Sequence, residues 1–182
     1  QFGDGNTQGW TPVDISGLSS GVSAIAAGYR HTCALTNDGG VKCWGANNFG
    51  QLGDGNAPNG STAVDVSGLS IGVSAIAASG DHTCALTTDG GSKCWGFNGS
   101  GQLGDGTRTN RITPVGVTGL GCGLSAIAAG SSFSCALTTT GTAKCWGNNF
   151  RGQLGNGGRN YGLPDDVLVT DVLFFDGFER EP

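Results

Sequence analysis

The segment from Cys33 to Gly55, CALTNDGGVKCWGANNFGQLGDG, returns from Cys84 as CALTTDGGSKCWGFNGSGQLGDG and from Cys135 as CALTTTGTAKCWGNNFRGQLGNG, each time 51 residues on. Gly21, Gly72 and Gly123 open GVSAIAA, GVSAIAA and GLSAIAA at the same spacing. A period of this size belongs to stacked or radial arrays, in which each unit buries its faces against its neighbours. One period holds four short apolar segments, Pro12 to Ile15, Val22 to Ala27, His31 to Thr36 and Val41 to Trp44, separated by Gly, Asn and Asp. Four short strands between turn residues are the content of one propeller blade. GVSAIAA also contains good helix formers, but a segment so short between glycines cannot sustain a helix without strong packing. The expected fold is therefore all-β, with antiparallel four-stranded β-propeller blades. The period divides the chain into residues 1–50, 51–101 and 102–152, with a partial repeat and tail at 153–182.

The cysteines fit this arrangement. Asn37-Asp38-Gly39 suits a three-residue hairpin loop, a type I turn closed by Gly39 in the left-handed region. The equivalents are Thr88-Asp89-Gly90 and Thr139-Thr140-Gly141. Centring the hairpin on Asp38 sets Cys33 opposite Cys43 at a non-hydrogen-bonded position, where Cα atoms lie about 4.5 Å apart, at the near edge of disulfide geometry. The same arithmetic pairs Cys84 with Cys94 and Cys135 with Cys145. Three facing pairs argue for disulfides and an oxidising compartment rather than for small buried thiols. Each bridge would close a short loop, contributing about 2 to 3 kcal/mol by chain-entropy reasoning. The spacing is too long for a zinc knuckle. Cys122 has no hairpin partner. It stands where the other repeats carry Ser20 and Ile71, and the Ile71 equivalence favours a shielded thiol over an intermolecular bridge.

Composition removes several function classes. Only 13% of the 182 residues are charged and 37% are apolar, which argues against disorder. A net charge of −5 with nine scattered Lys and Arg offers no basic stripe for nucleic acid. No apolar run is long enough to cross a membrane as a helix, and QFGDGNTQGW is not a signal peptide, so the expectation is a soluble chain, already processed or a fragment.

The ordered set of a Gly, His-Thr, Ala-Leu, Asp-Gly, Trp-Gly and Gly-Gln-Leu-Gly resembles the repeat of the regulator of chromosome condensation family, over residues 1 to about 157. The resemblance implies a seven-bladed propeller, of which this chain would supply about three and a half blades. Members of that family include nucleotide-exchange factors, a photoreceptor and a secreted bacterial inhibitor of β-lactamases, so the fold constrains activity weakly. The cysteine pairs are similar to the secreted bacterial branch.

Residues that recur in every repeat read as scaffold: Trp44, Trp95 and Trp146; Asn47, Asn98 and Asn149; Gln51, Gln102 and Gln153. His31 and His82 share their position with Phe133, which marks packing rather than metal binding or catalysis. Asp4, Asp54 and Asp105 suggest calcium, but each loop offers one carboxylate and the fourth copy has Asn156. No catalytic constellation, cofactor or metal site is expected. The segments after each Gly-Gln-Leu-Gly do vary: Asn6 to Thr11 with Trp10, Asn56 to Thr62, Thr107 to Thr113 with Arg108 and Arg111, and Gly157 to Pro164 with Arg159 and Tyr161. Equivalent propeller loops emerge on one face, and Trp, Tyr and Arg favour binding hot spots. Unconstrained loops would look the same.

The array starts and stops mid-pattern, with an outer-strand equivalent expected at Val167 to Val172 and an aromatic tail, FFDGFE, similar to short tails on some secreted bacterial proteins. An unclosed array exposes sheet edges and apolar faces. Either a longer polypeptide supplies the missing blades or chains complete one another. The leading functional expectation is a secreted, disulfide-stapled, non-catalytic scaffold for a protein partner. The second is a structural subunit that assembles through its open blades into an extracellular fibre. Exchange-factor activity fits poorly with oxidising conditions.

Overall fold

The computed structural model describes residues 11–56, 58–157 and the backbone of 162–166. Their regular structure is all strand, in three four-stranded antiparallel sheets. The first holds β1 (Val22–Ala27), β2 (His31–Thr36), β3 (Val41–Gly45) and β4 (Gly60–Asp65) in that order. The second holds β5 (Val73–Ser79), β6 (His82–Thr87), β7 (Ser92–Gly96) and β8 (Arg111–Gly116), and the third β9 (Leu124–Ala129), β10 (Phe133–Thr138), β11 (Ala143–Gly147) and β12 (Gly162–Asp166). The inner strands β1, β5 and β9 stand side by side, so the sheets are successive blades of a propeller. GVSAIAA is a strand in every copy.

The hairpin arithmetic holds. Cys33 pairs with Cys43, Cys84 with Cys94 and Cys135 with Cys145 in the β-ladders. All three pairs are disulfides, with Cα separations of 4.1, 4.1 and 4.0 Å. The loop closes as expected: Thr36 N donates to Gly40 O, and Gly39 takes φ +80°. Gly39 is required for a second reason. A Cβ there would lie 3.0 Å from Gly72 N of the next blade, whose Val73 N donates to Gly39 O.

Four expectations need correction. The sequence period and the blade are out of phase, because β4, after the Gly-Gln-Leu-Gly loop, pairs with β3 before it, Val64 opposite Cys43. Each sheet therefore runs across the boundaries at 50/51 and 101/102. Residues 12–15, the counterpart of β4, form no strand. In the third blade the outer strand is β12, with Asp165 opposite Cys145. It lies earlier than the expected 167–172, which falls outside the described residues. Cys122 is exposed rather than shielded. Its counterparts Ser20 and Ile71 are exposed too, since this position sits in the bend before an inner strand.

Two apolar clusters hold the blades together. Cys33, Leu35, Val41 and Cys43 on the trailing face of the first blade meet Val73, Ile76, Ala85 and Trp95 on the leading face of the second. Cys84, Leu86 and Cys94 meet Leu124, Ile127, Ala136 and Trp146 in the same way. The disulfides are thus core residues, packed where blade meets blade.

The unreduced native chain should react with one equivalent of a thiol reagent, at Cys122, and Cys122→Ser should react with none. Peptide mapping without reductant should recover only the three within-hairpin bridges.

Candidate functional site

Between neighbouring blades the polar groups form one repeated lock. Trp95 Nε1 donates to Gln51 O at 2.9 Å, and Trp146 Nε1 to Gln102 O at 2.9 Å. The same carbonyls accept Thr83 Oγ1 at 3.2 Å and Ser134 Oγ at 2.9 Å. Because these hydroxyls donate to a carbonyl, they accept from the imidazoles of the preceding blade: His31 Nε2 lies 2.8 Å from Thr83 Oγ1 and His82 Nε2 lies 2.9 Å from Ser134 Oγ. That leaves Nδ1 of each ring as a buried acceptor without a hydrogen-bond partner. Both histidines are fully buried, and desolvation lowers His31 to about 4 and, joined by the charge of His31, His82 to about 3. They are packing and latch residues, as their exchange with Phe133 implies.

The recurring Asn and Asp build the loops. Asn47 Oδ1 accepts Leu52 N, while Nδ2 donates to Asn56 O and to Asp54 Oδ1. Asn98 repeats this with Leu103 N, Thr107 O and Asp105 Oδ1. Of the carboxylates considered for calcium, Asp54 and Asp105 serve as loop acceptors, and Asp4 lies outside the described residues. Burial opposes the charge of Asp105, but hydrogen bonds from Thr107 and Arg111 outweigh it and hold the group below its ordinary range. Asn98 heads an Asn-Gly-Ser sequon, yet its amide is buried and engaged, so that sequon is closed to glycosylation in the folded chain.

The variable residues divide. Arg108 is exposed in the loop between β7 and β8. Arg111 opens β8, and its guanidinium is held 2.7 Å from the Asp105 carboxylate, so it clamps its own loop. Trp10, Arg159 and Tyr161 lie outside the described residues. The connections β1–β2 and β3–β4 leave the same rim of a blade, whereas the β2–β3 turn lies on the other. On the first rim, β1–β2, β5–β6 and β9–β10 bring residues that differ between repeats into one cleft of about 490 Å³. It is lined by Tyr29, Gly80, Asp81, Phe97, Ser131 and Ser132, among others. Tyr29 is exposed under the guanidinium of Arg30, 5.1 Å from the ring centroid, and its N–H donates to Gly80 O. Phe97 packs on Phe49 with ring centroids 4.9 Å apart. The sequence reading missed this cleft because it compared only the loops after Gly-Gln-Leu-Gly. Aligning Tyr29-Arg30, Gly80-Asp81 and Ser131-Ser132 would have found it.

One lock is incomplete. Gln51 Nε2 donates to Asp81 Oδ1 at 3.1 Å, but the next blade has Ser132 at that position, and Gln102 Nε2 is buried with no partner.

Three antiparallel sheets, joined at both interfaces by the same indole-to-carbonyl lock, define a propeller repeat scaffold. The chain belongs to the regulator of chromosome condensation (RCC1) repeat family, whose models match residues 22–51, 73–102 and 124–153, and residues 38–86 and 94–137. It is 34% identical over 161 residues to the ultraviolet-B receptor UVR8 of Arabidopsis thaliana, covering 86% of this chain and 37% of that one. It is 35% identical over 146 residues to the mitochondrial RCC1 domain-containing protein RUG3 of the same plant, covering 79% and 33%. The chain thus spans about a third of the length of these relatives. Prp20p of Saccharomyces cerevisiae superimposes with a TM-score of 0.73 at 24% identity, covering 84% of this chain and 39% of that one, which supports the fold.

Two outcomes follow from the locks. Ser132→Asp should supply the missing acceptor to Gln102 and stabilise the chain by about 1 kcal/mol, read from denaturant midpoints at constant slope. The unfolded chain binds protons at His31 and His82 below about pH 6.5, where the folded chain does not. Stability should therefore be complete above that pH and fall as pH drops towards 4, by about 1.4 kcal/mol per pH unit per histidine. The His31→Phe, His82→Phe double variant should flatten that slope.

Proposed function

We propose that this chain is a secreted, disulfide-stapled, non-catalytic module that binds a protein partner on the rim carrying the β1–β2 and β3–β4 connections. The observation that carries this reading is the convergence of non-repeating side chains in the rim cleft. There Tyr29 and Phe97 supply aromatic rings beside the Asp81 carboxylate, and the guanidinium of Arg30 lies over the Tyr29 ring, while the recurring polar groups are consumed by the scaffold. Aromatic rings with an adjacent guanidinium are the residue types that anchor protein interfaces. Arg108 extends the surface on the same rim, and Trp10, Arg159 and Tyr161 are assigned to it from their places in the repeat. Prp20p is described as binding Gsp1p and histones. That a propeller of this family offers its surface to proteins supports a protein partner here, without naming one. Three disulfides support an oxidising, extracellular setting and a place in the secreted bacterial branch, although the curated relatives named above are plant proteins.

Affinity capture from the secreted fraction of the source organism tests the reading. The Tyr29→Ala, Arg30→Ala double variant and an Arg108→Ala variant should each keep the wild-type melting temperature within about 2 °C, since these side chains are exposed. The double variant should lose a partner that the wild type retains, and Arg108→Ala should weaken its retention. Full retention by both variants would remove the site from this rim.

A further inference from the structure

The rim cleft carries one charge and two aromatic rings, and none of the three belongs to the repeat. Asp81 stands where the other blades have Arg30 and Ser132, Tyr29 where they have Gly80 and Ser131, and Phe97 where they have Ala46 and Asn148. Blade joining does not call for a carboxylate at 81, since the second interface makes the same indole bond with Ser132 in that place. The lock does hold it still. The buried Gln51 donates Nε2 to Asp81 Oδ1, whereas Oδ2 has no hydrogen-bond partner or ion pair among the described residues. Backbone bonds set the rings beside it: Tyr29 N donates to Gly80 O at 2.9 Å and Phe97 N to Asp81 O at 2.8 Å. The Phe97 ring lies on Gly99, where a Cβ would come within 2.5 Å of its Cζ, and the blades without this Phe carry Asn48 and Phe150 there. The other walls include Gly28, Gly80, Ser131 and Ser132, which leave room. Arg30 lies over the Tyr29 ring but is no wall of the cleft, so among the described residues Asp81 is the one charge in the lining. Asp81 and Phe97 belong to the middle blade, which has a neighbour packed on each face, so their setting does not depend on the ends of the array.

We infer that this cleft is a seat for a guanidinium group, that of an arginine on the protein partner, with Asp81 Oδ2 as its counter-ion and the Phe97 and Tyr29 rings as its walls. The inference rests on the rim being the binding surface and adds what the cleft selects. A fixed carboxylate beside aromatic rings attracts a cation and offers an anion nothing, because the ring faces are themselves electronegative. Arginine fits better than lysine. Its planar, weakly hydrated head lies flat on a ring, and its five N–H donors match a carboxylate oxygen with serine hydroxyls beside it. The Ser131 and Ser132 hydroxyls line the same cleft. A net charge of −5 favours the approach of a basic surface as a whole.

Amide NMR spectra of the full chain, titrated with acetyl-arginine amide and separately with acetyl-citrulline amide, test the seat. Citrulline has the same length and a planar head but no charge. The arginine amide should shift the signals of Gly80, Asp81 and Phe97 and saturate with a dissociation constant of about 1 to 10 mM, while the citrulline amide should leave them in place. Raising salt from about 50 to about 500 mM should weaken the arginine amide several-fold, an arm that needs no variant. Asp81→Asn keeps an Oδ1 acceptor for Gln51 Nε2, so it should melt within about 2 °C of the wild type and bind the arginine amide at least about tenfold more weakly. No shift by the arginine amide, an equal shift by the citrulline amide, or unchanged affinity in Asp81→Asn overturns the inference. The capture experiment separates it from the rim reading. A partner retained by Asp81→Asn but lost by the Tyr29→Ala, Arg30→Ala variant removes the arginine and leaves the rim. A partner retained by both removes the two together.

Discussion

The indole N–H of Trp95 on the backbone carbonyl of Gln51, repeated by Trp146 on Gln102, fixes the relation of blade to blade. A strand ladder holds the strands of one sheet but says nothing about the neighbouring sheet. Apolar packing draws sheets together without selecting one offset. A buried indole has a single donor and is costly to leave unpaired, so its bond to one carbonyl sets the offset. The surrounding residues follow from it. Gly53 and Gly104 take φ of +70° and +68°, and a Cβ on them would lie 2.6 and 2.7 Å from the indole nitrogen. Thr83 and Ser134 share the same carbonyls and relay the contact to His31 and His82.

This economy gives the recurring residues their structural task. An Asn that accepts Leu52 N and donates to Asn56 O has neither the freedom nor the exposure to act on a ligand. A histidine whose ring lies in an apolar seam does not take a proton near neutral pH. Variation is left to positions outside the lock. On the rim of the β1–β2 connection Tyr29-Arg30 in one blade becomes Gly80-Asp81 and then Ser131-Ser132, so a scaffold of near-identical units acquires a cleft with no internal symmetry.

Much of the fold was legible in the sequence for a simple reason: period, turn chemistry and cysteine register are local. The Asn37-Asp38-Gly39 loop fixes the pairing from Thr36 and Gly40 outward, and Cys33 opposite Cys43 follows by counting. The phase of the blade was not local. Whether the segment after Gly-Gln-Leu-Gly opens a blade or closes one depends on which Trp-Gly strand it pairs with, and the period is the same either way. The error at Cys122 had a similar root. Ile71 suggested burial by its chemistry, but its position in a bend before Gly72 turns it outward. Arg111 looked like a free loop cation, and only the partner at Asp105 gives it a structural task.

The bridges lie within single hairpins, ten residues apart in sequence. A loop of that size closes in about 10 to 100 ns, far faster than a chain is made. Cys43 therefore meets Cys33 far more often than it meets a thiol of another repeat, so an oxidant finds the hairpin pair already in contact. The order of the cysteines along the chain acts as a proofreading device for a protein whose repeats would otherwise offer many equivalent wrong pairings. Only Cys122 has no mate within its own hairpin, standing after the first two pairs in the sequence and ahead of the third.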